Sequence, residues 1–242
     1  MVIWDSGPWK QELVRTVDRC EREYQQLSRQ RALPDWEQRV HHQRAEKAVF
    51  LSAFIIRKLM DSLRLSAEVG DGVIEVLRYP LRNMGDAPHS TNWDRIHEFY
   101  DLDSPRRDDV PVRHLINWII HSFVFLLEVR SDLAGGQVFE AFYVNSDRTR
   151  KSDLLRIDWA EYRGLIDEVA ADHIVEMITF RNVRGDEVQL RSRTHLSLAE
   201  REDFEHRHAI FIQEAIAEVA TTPGMTRSRG GDAAPGRGAA SP

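Results

Sequence analysis

The sequence predicts an α+β fold, in which helices pack on a mostly antiparallel (alternatively mixed) sheet of about five or six strands. Three observations support this prediction. The N-terminal part reads as two long helices, and the strands that follow are joined mostly by short turns. The composition, 42% hydrophobic and 30% charged, is typical of a globular chain with one sizeable core.

The N-terminal segment 1–66 is predicted to form an antiparallel helical hairpin. Apolar residues recur at spacings of three and four from residue 8 to residue 32, and Pro34 ends this first helix. Asp35 and Gln38 form a capping box for a second helix, whose middle is apolar on almost every side. Because the first helix is amphipathic, we expect the N-terminal helices to contact a protein partner or a second copy of the chain.

The region 72–220 is predicted to supply the sheet and the remaining helices. The predicted strands are Val73–Tyr79, Phe123–Val129, Val138–Val144, Leu154–Ile157, Ile174–Phe180 and Val188–Arg193. The predicted helices are a short one near Asn92–Tyr100, then 111–121, Asp158–Ala171 and a last helix to residue 219 that opens with the capping box Ser197–Glu200. The rest of 83–110 reads as turns. Residues 221–242 read as a disordered tail, so 1–220 is predicted to be a single domain.

Charge and cysteine content narrow the class of protein. The net charge of -6 argues against a protein whose main role is to coat nucleic acid or an anionic membrane. The single cysteine, Cys20, excludes an intrachain disulfide and fits a reducing cytoplasm. The chain does not open with a signal-peptide pattern, and its apolar runs are too short or too interrupted to span a membrane. We therefore expect a soluble, cytoplasmic bacterial protein without a membrane partner.

The most apolar stretch, Arg113–Val129, contains the first candidate site. His114, Asn117 and His121 lie at offsets of three and four on one face of the predicted helix, where they could bind a ligand together or transfer a proton. Polar groups in so apolar a segment cost free energy unless they are hydrogen-bonded. The alternative is that this face lies toward solvent, or that the side chains bond nearby backbone groups.

A second pattern, Asp94, His97 and Asp101, has the same helical spacing. Carboxylate and imidazole groups spaced in this way are able to bind a metal ion. No cysteine and no His-Glu-x-x-His motif accompanies them, so an exposed charged helix face explains the pattern equally well. We therefore predict neither a metal site nor a cofactor, and these three residues are the candidates if a metal binds.

A third pattern is a local group of basic residues in an otherwise acidic chain. The loop 145–153 and the predicted hairpin near the C-terminus would form a site for phosphate or a nucleic-acid backbone if they lay side by side. The predicted anion-binding residues are Arg148, Arg150, Lys151, Arg191 and Arg193, with Arg181 and Arg184 on the same hairpin. The alternative is a solvated loop whose charge is balanced by neighbouring carboxylates.

A fourth pattern lies in the last predicted helix. Arg201 and His206 resemble the Arg-x4–6-His motif of the HEPN-type ribonucleases, and His208 fits the longer spacing. In that family the pair lies on a helix and acts on RNA at a dimer interface, so the resemblance implies catalytic roles for these residues. It covers six to eight residues, a length at which chance matches are expected. The predicted α+β fold also departs from the all-helical fold of that family.

Motifs for nucleotide-dependent enzymes and serine hydrolases are absent from the sequence. We therefore predict an accessory or regulatory binding module rather than an enzyme. The competing prediction is a metal-independent nuclease or another phosphodiester-acting enzyme, which requires Arg148 and Arg150 to approach His121 or His206 in one cleft. A third hypothesis, a small-molecule enzyme built on the face of His114, requires a pocket beside that helix.

Overall fold

The computed structural model describes residues 5–27, 34–83, 85–131, 137–181 and 187–204 of the chain. The chain divides into two compact units. The larger unit comprises Met1–Thr179 and Gln189–His195, and the smaller unit comprises Phe180–Val188 and Leu196–Pro242.

The helices follow the apolar spacing of the sequence. They are α1 Gly7–Leu27, α2 Asp35–Asp61, α3 Ala67–Gly70, α4 Ile96–Phe99, α5 Val112–Ile120 and α6 Trp159–Ala171, with a 3₁₀ turn at Thr149–Lys151. Helices α1 and α2 pack against each other, as the predicted hairpin requires. The prediction that Asp35 is the N-cap residue of α2 is wrong, because α2 begins at Asp35 and Pro34, in an extended conformation, occupies the N-cap position.

The strands form one large antiparallel sheet and one hairpin. They are β1 Val73–Pro80, β2 Arg106–Pro111, β3 Ser122–Ser131, β4 Gln137–Ser146, β5 Asp153–Asp158, β6 Glu176–Arg181 and β7 Glu187–Ser192. The first five pair in the order β2-β1-β5-β4-β3, and every pairing among them is antiparallel. Strands β6 and β7 form a separate two-stranded sheet. The fold is therefore α+β, as predicted.

Strand β2 corrects the prediction that 83–110 contains only turns and one short helix. It lies at the edge of the sheet and pairs only with β1. An edge strand exposes much of its surface, so charged side chains are tolerated there and discourage pairing with other sheets. In β2, Val110 is buried whereas Arg106, Arg107 and Asp109 are exposed. The apolar alternation that marks a strand is therefore missing from its sequence.

The helices cover one face of the large sheet. Apolar residues of α1, α2, α5 and α6 pack with inward residues of the sheet in one core. The opposite face carries a smaller apolar cluster around Tyr79 and Tyr100, to which residues between Leu81 and Leu102 contribute. The apolar stripe of α1, from Leu13 to Leu27, is buried within the larger unit. A partner that binds α1 would therefore have to contact its polar face.

The smaller unit confirms one predicted helix start. The carboxylate of Glu200 accepts hydrogen bonds from the Ser197 backbone N–H at 2.8 Å and from its hydroxyl at 2.7 Å, and the Glu200 N–H donates to Ser197 Oγ at 3.3 Å. This reciprocal arrangement is a capping box. The helix that follows is described as far as residue 204. The remainder of this predicted helix and the predicted tail 221–242 lie outside the described residues.

Candidate functional site

The three polar residues predicted on α5 have different surroundings. The Asn117 side-chain oxygen accepts a hydrogen bond of 2.5 Å from Arg57, which joins α5 to α2. His114 is exposed, with its ring 6.2 Å from that of Trp118. His121 is exposed at the C-cap of α5. This arrangement matches the alternative in which the polar face of the helix lies toward solvent and Asn117 has a structural role.

The metal candidates are not gathered into a ligand set. Of Asp94, His97 and Asp101, only His97 lies within α4. Its ring nitrogen Nε2 is 4.0 Å from a carboxylate oxygen of Glu98, and both side chains are largely solvent-exposed. Among the described residues, no three or more His, Cys, Asp or Glu side chains lie close enough together to hold a metal ion.

The basic residues of the turn after β4 are partly engaged within the protein. Arg150 donates to Asp147 Oδ1 at 2.9 Å and to the carbonyl of Pro88, and its guanidinium lies 4.3 Å from the centre of the Phe123 ring. A cation above an aromatic face is held electrostatically. Arg148 and Lys151 are exposed, so they are the residues of this turn that are open to a ligand.

The arginines of the C-terminal hairpin contact other elements. Arg191 donates to the Leu65 carbonyl at 2.6 Å, whereas Arg193 bonds Asp172 at 2.8 Å and Glu168 at 3.2 Å. The turn with Arg150, in contrast, is hydrogen-bonded to the end of β1 through the Ser152 carbonyl and the Leu81 N–H. Among the described side chains, the two sets of arginines therefore do not form one basic surface. Arg184 lies outside the described residues.

The nuclease hypothesis requires His121 or His206 to approach Arg148 and Arg150 in one cleft. Ser122, which follows His121, pairs with Ser146, two residues before Arg148. His121 and the turn with Arg148 therefore lie at the same end of the sheet. The hypothesis requires both Arg148 and Arg150 at this end, but Arg150 already contacts Asp147, Pro88 and Phe123. Arg201 lies in the helix of the smaller unit, whereas its predicted partner His206, like His208, lies outside the described residues.

A pocket that the sequence did not predict lies where the C-terminal end of α1 meets the beginnings of β4 and α6. Its volume is about 260 Å³. This volume is close to the lower limit of roughly 300 Å³ for typical ligand sites, so it suits a small molecule. We call it the aromatic pocket. Its described lining residues are Glu21, Tyr24, Gln25, Gln137, Val138, Phe139 and Trp159.

Three aromatic rings form the apolar wall of the aromatic pocket. The Phe139 ring centre lies 5.5 Å from that of Tyr24 and 4.6 Å from that of Trp159. Tyr24 and Phe139 are buried. The Trp159 indole N–H donates to the Glu21 carboxylate at 3.0 Å, which fixes the carboxylate beside the rings. The wall is therefore preorganised by side chains from three different elements.

Two of the lining residues carry a polar atom that lacks a hydrogen-bond partner among the described residues. The Tyr24 hydroxyl and the Gln137 side-chain oxygen are both buried, and neither has a partner within the described structure. Tyr24 as a whole is only 5% exposed. Buried polar groups are paired in the great majority of native proteins, and an unpaired group requires an explanation such as strain, a functional role, or a bound water or ion. These two atoms identify the aromatic pocket as the candidate functional site.

A different polar cluster lies at the other end of α1. Lys10 is buried and donates to the carbonyl of Asp172, the residue that follows α6. The Asp172 carboxylate accepts from the Ser66 N–H at 2.8 Å and from Arg193 at 2.8 Å. Burial favours the protonated acid, but the hydrogen bonds from Ser66 and Arg193 outweigh it and lower the pKa of Asp172. This cluster therefore links α1, the end of α6 and the end of β7 through hydrogen bonds and an ion pair.

The aromatic pocket is not visible in the sequence, because its lining residues are distant along the chain. Tyr24 and Trp159 each occur in an apolar stripe at helical spacing, where an aromatic residue reads as part of the core. Only the polar residues beside them, Glu21 and Gln137, were signals of another role. Nothing local to either segment shows that they meet.

No protein-family model, curated protein or solved structure matches the chain. Within the described part of the chain, none of the helices has the length and apolar character needed to cross a membrane.

Proposed function

We propose that the protein is a binding module with an accessory or regulatory role in the cytoplasm, and that the aromatic pocket is its ligand site. One observation carries the proposal: Tyr24 and Gln137, which both line a small cavity, each have a buried polar atom with no partner among the described residues. A buried polar atom without a partner costs about 1–3 kcal/mol. A ligand that supplied the missing hydrogen bonds would recover this free energy on binding.

The composition of the wall favours binding over catalysis. Covalent or acid–base chemistry usually needs a nucleophile and a base in hydrogen-bond reach of each other. The described lining contains three aromatic rings, two glutamines, a valine and one carboxylate, and no histidine, cysteine, serine or lysine. One carboxylate oxygen of Glu21 accepts a hydrogen bond from the Trp159 N–H, and the other lies 3.3 Å from Arg163.

The turn after β4 supports an anion-binding or nucleic-acid-binding role less well. The guanidinium of Arg150 is committed to Asp147, Pro88 and the Phe123 ring. Arg148 and Lys151 remain exposed beside the carboxylate of Asp147. A backbone-binding surface needs several cations that a phosphate can reach together.

The proposal predicts that the aromatic pocket binds a small aromatic compound. We would use three probes that share a phenyl group and differ in charge: 2-phenylethylammonium, 2-phenylethanol and phenylacetate. Saturation-transfer NMR should detect binding of at least one of them to the wild-type protein. Gln25 lines the pocket from α1 and is exposed, so Gln25→Trp should block the pocket and abolish this binding.

Val175→Trp is the matched control, because Val175 is 49% exposed and lies outside the described lining of the pocket. It adds the same indole to the surface and should leave probe binding unchanged. If no probe binds the wild-type protein, the proposed function is wrong. If probes bind the Gln25→Trp variant as well as the wild-type protein, the site lies elsewhere.

A further inference from the structure

The polar atoms in the wall of the aromatic pocket are rich in hydrogen-bond acceptors. Glu21 contributes a carboxylate, Gln137 contributes an unpartnered amide oxygen, and the Tyr24 hydroxyl is able to accept as well as donate. The indole N–H of Trp159, a donor, is already used by Glu21. A ligand that carries N–H donors would therefore complete the hydrogen bonding of the wall.

The charge beside the pocket is negative. Arg163 lies 2.6 Å from a carboxylate oxygen of Asp18, 3.3 Å from one of Glu21 and 2.9 Å from one of Asp167. One guanidinium is thus shared among three carboxylates, which leaves two negative charges in excess in this group of four side chains. Glu21 is the charged residue of the described lining, so the excess charge attracts a cation to the pocket.

The aromatic rings suit the body of such a ligand. Tyr24, Phe139 and Trp159 offer apolar contact, and the faces of aromatic rings also attract cations. A cavity of about 260 Å³ limits the body to a few carbon atoms or one ring. The wall therefore combines apolar contact, acceptors and negative charge in one small volume.

We infer that the aromatic pocket binds a primary ammonium group carried on a small apolar or aromatic body. The inference rests on the proposed function and adds the chemical class of the ligand. The ammonium donates to Glu21, Gln137 and Tyr24, and the rings enclose the carbon skeleton. A charge-assisted hydrogen bond is roughly twice as strong as a neutral one, so the amine is preferred over an alcohol of the same shape.

The test is isothermal titration calorimetry at neutral pH with the same three probes. We expect 2-phenylethylammonium to bind about tenfold more tightly than 2-phenylethanol, and phenylacetate to bind more weakly than either. The quaternary N,N,N-trimethyl derivative of the amine keeps the charge but has no N–H donor. It should lose about tenfold relative to the primary amine, because it cannot bond the acceptors.

Glu21→Gln is the variant that isolates the carboxylate. It keeps an oxygen that can accept from Trp159, and it removes the charge from the pocket. We expect the preference for the amine over the alcohol to fall from about tenfold to about twofold or less. The control is Asp167→Asn. It removes one negative charge from another carboxylate that pairs with Arg163, but Asp167 is not part of the described lining of the pocket. It should retain most of the preference.

Each result bears on one proposal or on both. If 2-phenylethanol or phenylacetate binds as tightly as the amine, or if Glu21→Gln keeps the full preference, the ligand class is wrong and the pocket remains a binding site. If the quaternary derivative matches the primary amine, hydrogen bonding to the acceptors is wrong. If none of the probes binds, the proposed function fails together with this inference.

Discussion

Helix α1 meets α6 at both of its ends, and the two ends treat buried polar groups in different ways. At the N-terminal end, the Asp172 carboxylate accepts hydrogen bonds from Ser66 and Arg193. At the C-terminal end, the Tyr24 hydroxyl and the Gln137 oxygen are buried without partners among the described residues. The first end gains stability from its polar groups, whereas the unpartnered groups at the second end lower the stability of the free protein; in the proposed function, a bound ligand would compensate for this loss.

The largest expected effect is at the N-terminal end of α1. Asp172→Ala removes a side chain that is 0% exposed; it leaves the Ser66 N–H without this acceptor and removes the buried one of the two carboxylates that pair with Arg193. We expect the free energy of unfolding to fall by about 3–5 kcal/mol, since one partner of a buried ion pair is lost. Urea denaturation would measure this loss. Asp172→Asn serves as a milder variant if the alanine variant does not fold.

Asp167→Ala is the control for this prediction. Its carboxylate also bonds an arginine on α6, but its side chain is 55% exposed. We expect a change within about 0.5 kcal/mol, as for most surface ion pairs. Equal losses for the two alanine variants would show that the Asp172 cluster does not fasten the helices.

Acid should weaken the same cluster. Hydrogen bonds from Ser66 and Arg193, together with the charge of Lys10, outweigh burial and hold the pKa of Asp172 below its ordinary value near about 4. A carboxyl whose pKa is lower in the folded state stabilises the fold above its unfolded pKa, and that contribution is lost as the pH falls through the folded pKa. Urea titrations from about pH 7 to about pH 3 should show a steeper loss below about pH 4 for the wild-type protein than for Asp172→Asn. Parallel losses would contradict the prediction.

The smallest expected effect distinguishes two buried tyrosines. The Tyr162 hydroxyl lies 2.8 Å from Ser52 Oγ and 3.4 Å from the Val49 carbonyl, so Tyr162→Phe should lower the free energy of unfolding by about 1 kcal/mol. Tyr24→Phe removes an unpartnered hydroxyl and should leave the stability of the ligand-free protein unchanged or raise it by about 1 kcal/mol. Paired urea denaturation curves would measure both. A loss for Tyr24→Phe as large as that for Tyr162→Phe would show that the Tyr24 hydroxyl has a partner.

Local patterns predicted the elements whose signals are local. The stripe of α1 and the β-branched runs of β3 and β4 are properties of short windows, and the structure confirms them. Strand β2 was not predicted, because its residues are mostly charged and its strand conformation depends on pairing with β1. A strand of this kind becomes visible only when its neighbour is known.

The candidate site was less accessible to sequence reasoning than the fold. Their positive charge led to the prediction that Arg150 and Arg193 belong to one site. In the structure, Arg150 lies over the ring of Phe123, whereas Arg193 bonds Asp172. The aromatic pocket depends on contacts between Tyr24, Phe139 and Trp159, which are more than a hundred residues apart at the extremes. A hydroxyl that lacks a partner is a property of the folded chain, and periodicity cannot reveal it.

The sheet order has a consequence for the way in which the chain folds. Strand β1 pairs with β2, and β3, β4 and β5 pair in succession, and the paired residues in these contacts are at most 38 positions apart along the chain. The pairing of β1 with β5 instead places Leu77 opposite Arg156, which is 79 positions further along the chain. Contacts between such distant residues require closure of a long loop before they stabilise anything, and folding slows as they accumulate. The central pairing of the sheet is therefore expected to form late, after both of its halves, and until then the edges of β1 and β5 stay open to the wrong partners.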